Sequence, residues 1–513
     1  MRRLGDKIAA KELAEISGVP ILPWSKRAIR DLDDANRVSG EIGYPVIVKA
    51  AHAGGGRGIR FVLAQEELAE QYQSARDETV RVTGDDIVFI ERLVRRGRHL
   101  EVQCLCDRHG NVATFGVRDC SVQRRNQKII EETPPPGLAP ERIESIEQAA
   151  LRLMKAAHYE SAGTVEFLYD LEREEFYFME VNTRLQVEHP ISEVLYDVDL
   201  VKGQIDVAFG RTVNTDVHPR GAVLEARLNA EDPDRDFVPA PGTVRRFRVP
   251  LGPGVRVDSG IGQGSVIPSR FDSMVAKIIA YGTTRAEAMS RLRRALLETR
   301  VAIDGGTTNK AFLLELLEQP EIQAGAVHTK YVEEMLASGR RVRRDHPDIA
   351  LIAGAIDVYN RHEVNELLVF RQQISTYGSP RSVSVTAEQE VTFGYEGHTY
   401  TFLVRRLGPT AYRVLAGESS LTASFVHNDD ESRLELPGGR YSIQTISRGD
   451  ALQCEVDGVP YLLELETGGA VKAPSPAIVL ATNVRPGDAV MKGQRLLSLE
   501  AMKMEMIIEA PAA

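Results

Sequence analysis

Apolar and polar positions divide this chain into three stretches of different character. Behind Asp6, a capping residue, Ile8, Ala9, Leu13, Ala14 and Ile16 recur at helical spacing, and Gly18 follows. Short apolar runs predict strands at 45–50 and 59–63, joined by a glycine-rich loop, and further strands at 87–90 and 99–105. Helical periodicity covers 65–82, 141–157 and, more loosely, 191–210. Residues 221–279 are strand-rich, 284–298 form a helix, and helical pattern persists to about Gly339. The basic, polar stretch 340–348 is a boundary. Beyond it, a short helical piece at 349–359 gives way to repeated short strands over 383–465, which read as a small barrel or sandwich. The last segment, 473–513, holds short strands punctuated by Pro486-Gly487-Asp488 and Lys492-Gly493. The fold class is α+β.

The pattern is clearest between Glu166 and Glu188. Two apolar runs, 164–169 and 176–181, flank the charged turn 170–175, which predicts a hairpin with Glu166 opposite Glu180. Alternation then puts Glu180, Asn182, Arg184, Gln186 and Glu188 on one face, with Tyr177, Met179, Val181, Leu185 and Val187 on the core side. Opposed carboxylates repel unless a cation lies between them, and hard oxygen ligands beside an amide suit magnesium. A solvated polar face on an amphipathic hairpin is the other reading.

Composition narrows the function classes. The 513 residues suffice for about three domains, and 43% are hydrophobic, enough for real cores. A net charge of −10 without a sustained basic run argues against nucleic acid as a partner. The N-terminus has no signal-peptide core, and charges interrupt every apolar run before membrane-spanning length. Cys104, Cys106, Cys120 and Cys454 show neither metal-site nor disulfide spacing, which predicts a reduced, cytoplasmic setting.

Candidate chemistry gathers around the hairpin. Lys7, a cation in a first helical turn, gains nothing from the helix dipole and suits a phosphate. Lys49 ends an apolar strand and enters the loop containing Gly54, Gly55 and Gly56. Such a strand-loop-strand can close backbone N–H groups over phosphates, but it is no Walker loop. The stretch 118–128 is too polar and cationic for a core element and looks suited to anions. Lys503, between methionines on a predicted hairpin tip, is placed where an enzyme can reach it.

Together these motifs identify a resemblance. Residues 5–338 resemble the biotin carboxylase component of biotin-dependent carboxylases, an ATP-grasp enzyme. The resemblance rests on Gly5-Asp6-Lys7, Lys49 with its glycine loop, residues 118–128, Glu166, residues 180–190 and Phe271-Asp272-Ser273-Met274. Ala501-Met502-Lys503-Met504 is similar to the hallmark of biotin carrier domains, and residues 349–466 look like the barrel that links the two units in acyl-CoA carboxylases. The resemblance implies three regions: ATP-grasp over 1–339 with a lid at about 21–93, a linking β-barrel over 340–466, and a biotinyl (lipoyl-like) domain over 467–513.

Roles follow from the resemblance. Lys7, Lys49, Gly54, Gly55, Gly56, Glu91, His99, Gln123 and Asn126 would bind ATP, with Glu91 near the adenine. Asn126 stands beside the ribose, where the family often has His. Glu166, Glu180 and Asn182 would hold Mg2+ (or Mn2+). Lys128, Arg184, Gln186 and the Val187 backbone would bind bicarbonate, and Glu188 would take its proton, giving carboxyphosphate. Arg256 would stabilise the ureido oxygen of biotin carried on Lys503. Implied partners are a carboxyltransferase domain or subunit, a biotin protein ligase and further copies of the complete protein. Relatives carry a Rossmann-like subdomain before Gly5-Asp6-Lys7 and a second carrier half after the lysine, so the sequence is expected to be truncated at both ends. The glycine loop begins His52-Ala53, where many members have Gly, which implies a stiffer lid. The alternatives are another ATP-grasp ligase, of carbamoyl-phosphate synthetase type, and an impaired fragment acting as carrier or assembly module.

Overall fold

The computed structural model describes residues 2–52, 58–268, 271–304, 306–379, 388–427, 432–448, 451–465, 478–485, 488–491, 493–501 and 504–510. They fall into two units, residues 1–343 and 344–513.

In the first unit, β1 (Val46–Ala50), β2 (Ile59–Val62) and β3 (Val88–Arg92) form a sheet in the order β2-β1-β3. Helices Leu32–Ile42 and Leu68–Thr83 share with it a small core of Val38, Val46, Val48, Leu68, Tyr72, Ala75 and Ile90. The larger layer is an antiparallel sheet of eight strands. It contains β4 (Gly97–Cys106), β5 (Val112–Arg124), β6 (Gln127–Thr133), β7 (Ser161–Asp170), β8 (Glu175–Asn182) and β9 (Ala222–Asn229). The order is Val255–Asp258, Met274–Gly282, β9, β6, β5, β4, β7, β8.

Helices supply the cores. In Pro140–Ala156, Ile146, Ala149, Ala150, Leu153 and Met154 repeat at helical spacing and pack with Val102, Val117 and Phe167. Arg285–Glu298, capped by Thr284, buries Ala288, Leu292, Ala295 and Leu296 with Leu224, Ala226, Ile278 and Phe312. At the N-terminus Asp6 caps Lys7–Ile16 as expected, its Oδ1 accepting from Ala9 N at 2.9 Å. The inward face differs from the expectation: Ala10, Lys11, Leu13 and Ala14 are buried and Ile16 is exposed. A charged side chain occupies the interior because a buried carboxylate, Glu91, lies 2.7 Å from Lys11 Nζ.

The cationic stretch 118–128, expected to lie outside the core, is largely buried strand. Its first part is the buried end of β5, followed by the two-residue turn Arg125-Asn126 and then β6. Both turn residues have positive φ, 48° and 62°, as a tight hairpin with right-handed strand twist requires. The strand tolerates its charges because they are paired: Arg118 with Glu101, Asp119 with Arg98, and Arg124 with Asp236.

One turn carries a measurable pH dependence. Asp107, buried after β4, accepts from His109 N and Asn111 N at 2.9 Å each, Asn111 Nδ2 at 2.8 Å and Val213 N at 2.9 Å. Burial pushes this carboxyl up, but the four bonds to its ionised form more than reverse that and hold it at about 2. A depressed folded-state pKa gives stability that is present above the unfolded value, near 3.9, and lost as pH falls through 2. Asp107→Ala is therefore expected to cost about 2–3 kcal/mol at pH 7 in urea melts, with the deficit shrinking below about pH 4. A deficit as large at pH 2.5 as at pH 7 refutes the ionised-carboxylate account.

In the second unit, a closed barrel of eight strands runs from Gln389–Tyr395 to Val459–Leu465, neighbours in sequence pairing around it. Ile349, Ala353, Ile356 and Tyr359 of helix Pro347–Tyr377 pack in its core with Phe393, Val404, Phe425 and Leu463. Gly354 permits the close approach: a Cβ there would lie 2.6 Å from Leu463 Cδ1. The expected short piece at 349–359 is only the buried third of this 31-residue helix. Residues 360–377 contain no Gly or Pro to stop it, and Gly378 in left-handed conformation ends it. A three-stranded sheet of Ile478–Thr482, Arg495–Ala501 and Met504–Glu509 completes the unit. Lys503 lies outside the described residues. Among the described residues, no helix is long and apolar enough to cross a membrane.

Candidate active site

The β7–β8 hairpin pairs Glu166 with Glu180, as its turn predicts. The next pair is Phe167 with Phe178, so Met179 is an extra residue, a bulge that reverses the facing of the strand. Phe176, Phe178 and Val181 are therefore the core residues, whereas Met179, expected inside, lines a cavity of about 500 Å³. Leu185 packs partly buried in a small cluster, and Val187 lines the cavity. The strand ends at Asn182. Gln186 and Glu188 reach the cavity from the turn before helix His189–Tyr196, not from a continuing strand face.

The cavity brings together Lys7, Lys49, His99, Gln123, Asn126, Lys128, Glu166, Glu180, Asn182, Arg184, Gln186, Val187 and Glu188. Lys7 Nζ lies 3.1 Å from Glu180 Oε2. Glu166 Oε1 accepts from Asn182 Nδ2 and Gln186 Nε2, each at 2.8 Å. His99 Nε2 lies 3.2 Å from Glu166 Oε2, an ion-pair distance. Burial pulls the imidazole pKa down, but Glu166 outweighs it and raises it, while Glu166 itself is held at about 2. Gln123, buried, donates to the Cys120 carbonyl at 3.0 Å.

Glu188 is nearly inaccessible, at 2% exposure. Lys128 Nζ donates to its Oε1, and Arg227 Nη2 to its Oε2 at 2.9 Å. Lys128 also donates to Glu101 Oε2 at 2.7 Å and lies 3.7 Å from Glu166. Burial disfavours its charge, but Cys120, Glu101, Glu188 and Glu166 together raise its pKa well above the ordinary lysine value. Arg184 is exposed at the rim and, among the described residues, forms no ion pair; its Nη1 donates to the Leu185 carbonyl at 3.3 Å.

Two expected residues lie off this cavity. Glu91 is buried between Lys49 and Lys11. Arg256 lines a separate hollow of about 280 Å³ with Leu195, Arg220 and Tyr281, held by Glu193 at 2.8 Å and by both oxygens of Asp258 at 2.8 and 3.0 Å. Lys277 links the two places, donating to the Val187 carbonyl at 2.8 Å and lying 3.4 Å from Asp258. Gly54, Gly55 and Gly56 lie outside the described residues.

Comparison with known proteins decides the family. Residues 6–216 match the family of the carbamoyl-phosphate synthase L chain ATP-binding domain, 225–334 the biotin carboxylase C-terminal domain, and 468–513 the biotin-requiring enzyme family. Biotin carboxylase 1 of Bacillus subtilis is 44% identical over 64% of this chain and 74% of its own length. The chain belongs to the biotin carboxylase family. The propionyl-CoA carboxylase alpha chain of Ruegeria pomeroyi is 34% identical over 99% of this chain and 80% of its own. Among solved structures, the biotin carboxylase domain dimer of 2-oxoglutarate carboxylase from Hydrogenobacter thermophilus, with MgADP, ADP and bicarbonate, superposes with a TM-score of 0.64. It is 38% identical, covering 67% of this chain and 76% of that one. The Campylobacter jejuni biotin carboxylase in its β,γ-ATP complex gives a TM-score of 0.63 at 38% identity, over 65% and 74% of the two chains. This protein is thus an ATP-dependent ligase that carboxylates biotin, and a carbamoyl-phosphate synthetase-type ligase is set aside by the match at 225–334.

Within a biotin carboxylase, a divalent cation fits the hairpin. Glu166 and Glu180 are register partners on one cavity, both already bound to cationic groups, and Asn182 adds an amide beside them. This is a hard, oxygen-rich donor set of the kind Mg2+ prefers. Sequence reasoning assigned no role to Arg118, Glu101, Arg227 and Lys277, which hold the expected residues in place. Glu101 alternates with Leu100 and Val102 along its strand, and Arg118 lay in the stretch noted for its cations; those were their signals. Arg227 alternates with Ala226 and Leu228 in the same way, and its register partner Lys277 interrupts an apolar run, so a signal was present at both.

Proposed function

We propose that this protein carboxylates carrier-borne biotin through carboxyphosphate, with ATP and bicarbonate as co-substrates, as one subunit of an acetyl- or propionyl-CoA-type carboxylase. The observation that carries the reading is Glu188, a buried carboxylate fixed by Lys128 and Arg227 at a cavity wall that Arg184, which forms no ion pair among the described residues, also lines. Arg184 and Gln186 orient bicarbonate, whose planar oxygens match a guanidinium fork. Glu188 removes the bicarbonate proton, and the density of cations around it favours the extra negative charge that forms. The freed oxygen attacks the γ-phosphorus and displaces ADP, giving carboxyphosphate, which breaks down to phosphate and the carbon dioxide that biotin takes up. Lys7 and Lys49 line the same cavity and offset the phosphate charge. Glu166, Glu180 and Asn182 would hold a divalent cation, which would supply charge neutralisation for the phosphates. Arg256, linked to the site through Asp258 and Lys277, is the residue we assign to the ureido oxygen of biotin.

The acyl-CoA assignment is supported by similarity to the propionyl-CoA carboxylase alpha chain along 99% of this chain, which takes in the barrel and the tail. The partners that follow are a carboxyltransferase, a biotin protein ligase acting on Lys503, and a second copy of the protein. The test is phosphate release from ATP that requires bicarbonate and rises with free biotin. Turnover indifferent to bicarbonate refutes the reading, and an avidin-positive chain without turnover favours the carrier-only alternative. An avidin signal from the full chain is expected to vanish in Lys503→Arg; its survival removes Lys503 as the attachment point.

A further inference from the structure

Lys11 has no part in the chemistry described so far, yet it is 1% exposed, among the most enclosed charges in the described residues. Its Nζ lies 2.7 Å from Glu91 Oε2 and about 6 Å from two aromatic ring centroids, 5.8 Å for Trp24 and 6.0 Å for Phe89. The other oxygen of Glu91 is taken by Lys49. One buried carboxylate therefore serves two ammonium groups.

The two lysines are not equivalent. Lys49 is partly exposed and lines the cavity with Lys7; Lys11 is dry, and neither it nor Glu91 lines the cavity. On the reading that this cavity binds ATP, Lys49 must turn from Glu91 towards the phosphates. That movement would strand an ionised carboxylate at 2% exposure, among the costliest things a protein interior can hold. Burial alone would push the Glu91 carboxyl up, yet the two lysines hold it at about 2, so it keeps its charge and needs a counter-ion at every stage. Burial likewise pulls Lys11 down against the support of Glu91, which leaves the pair dependent on each other.

We propose that Lys11 is a positioning residue for nucleotide binding: the fixed counter-cation of Glu91 that frees Lys49 to leave it for the triphosphate. The cluster of two cations on one anion carries a surplus positive charge, which is what a polyphosphate requires. Without Lys11, Glu91 and Lys49 form a closed neutral pair that each incoming nucleotide has to break.

This inference rests on the proposed ATP site, and the experiment separates the two. In the full chain, Lys11→Met is expected to raise the KM for MgATP, and the Kd of a non-hydrolysable MgATP analogue, by roughly 10- to 100-fold. The kcat at saturating ATP is expected to stay within about threefold, and the bicarbonate KM likewise. Repeating the substitution in a Glu91→Gln background closes a double-mutant cycle in which Lys11→Met is expected to cost less than about threefold, since no charge is left to strand. Lys11→Arg keeps the cation and is expected to bind the analogue within about fivefold of the parent. Unchanged nucleotide affinity in Lys11→Met overturns the proposal. So does an equal loss in the Glu91→Gln background, or a loss in Lys11→Arg as large as in Lys11→Met, because each makes the side chain a matter of packing. If Lys11→Met does not fold, Lys11→Gln, which is also neutral, takes its place in both backgrounds and is judged by the same outcomes. A parent chain that binds no MgATP analogue is a different failure, that of the site itself.

Discussion

Glu188→Gln is expected to lower bicarbonate-dependent ATP hydrolysis by about 100- to 10,000-fold, the range for loss of a positioned general base. Affinity for a non-hydrolysable ATP analogue is expected to change by less than about threefold, because Glu188 touches Lys128 and Arg227 and neither Lys7 nor Lys49. The amide keeps the shape but has a single acceptor oxygen, so it can accept from Lys128 or Arg227 and turns its NH2 towards the other. What it loses is the capacity to take a proton. The substitution also leaves Lys128 and Arg227 with one fewer negative partner, which would by itself tighten bicarbonate. A variant with a lowered bicarbonate KM and a collapsed kcat is therefore the specific signature. Equal losses in kcat and nucleotide affinity would show that Glu188 holds the site together and performs no proton transfer.

The parts of this site legible in the sequence are those fixed by local pairing. A hairpin with a short charged turn leaves little freedom of register, and Glu166 falls opposite Glu180 as its spacing predicts. The Asp6 cap was equally local. Where the reading failed, a non-local partner was responsible. Residues 118–128 looked too charged for a core because the neutralising carboxylates, Glu101 and Asp236, come from elsewhere in the chain. Lys11 sits inward for the same reason; the expected alternation holds from Glu180 to Asn182 but is inverted before it, at Tyr177, by one bulged residue, Met179, that no period-two pattern can announce. Arg227 reaches Glu188 from a strand 39 positions away, and Arg256 lines a different hollow. The resemblance supplied the names of the site residues, and the sheet supplied what holds them.

Arg118→Met is expected to have the largest effect on stability, about 3–5 kcal/mol in denaturant melts, as for removal of one partner from a buried ion pair. Arg118 has no exposed side-chain surface. Its guanidinium donates to Glu101 Oε1 at 2.6 Å, Gln103 Oε1 at 2.8 Å, Ser192 Oγ at 3.1 Å, Gln186 Oε1 at 3.2 Å and Thr164 Oγ1 at 3.4 Å. Methionine fills the volume but satisfies none of these, and Glu101 keeps only Lys128 as its strong partner. Pairing the change with Glu101→Gln removes the stranded charge and is expected to recover at least half of the loss, or about 2 kcal/mol. The functional consequence runs through Gln186, whose amide is fixed at one end by Arg118 and at the other by Glu166. Where the protein still folds, freeing that amide is expected to raise the bicarbonate KM more than the ATP KM. If Arg118→Met costs less than about 1 kcal/mol, the five bonds are no more than the protein could replace with water, and the site owes its order to the hairpin alone.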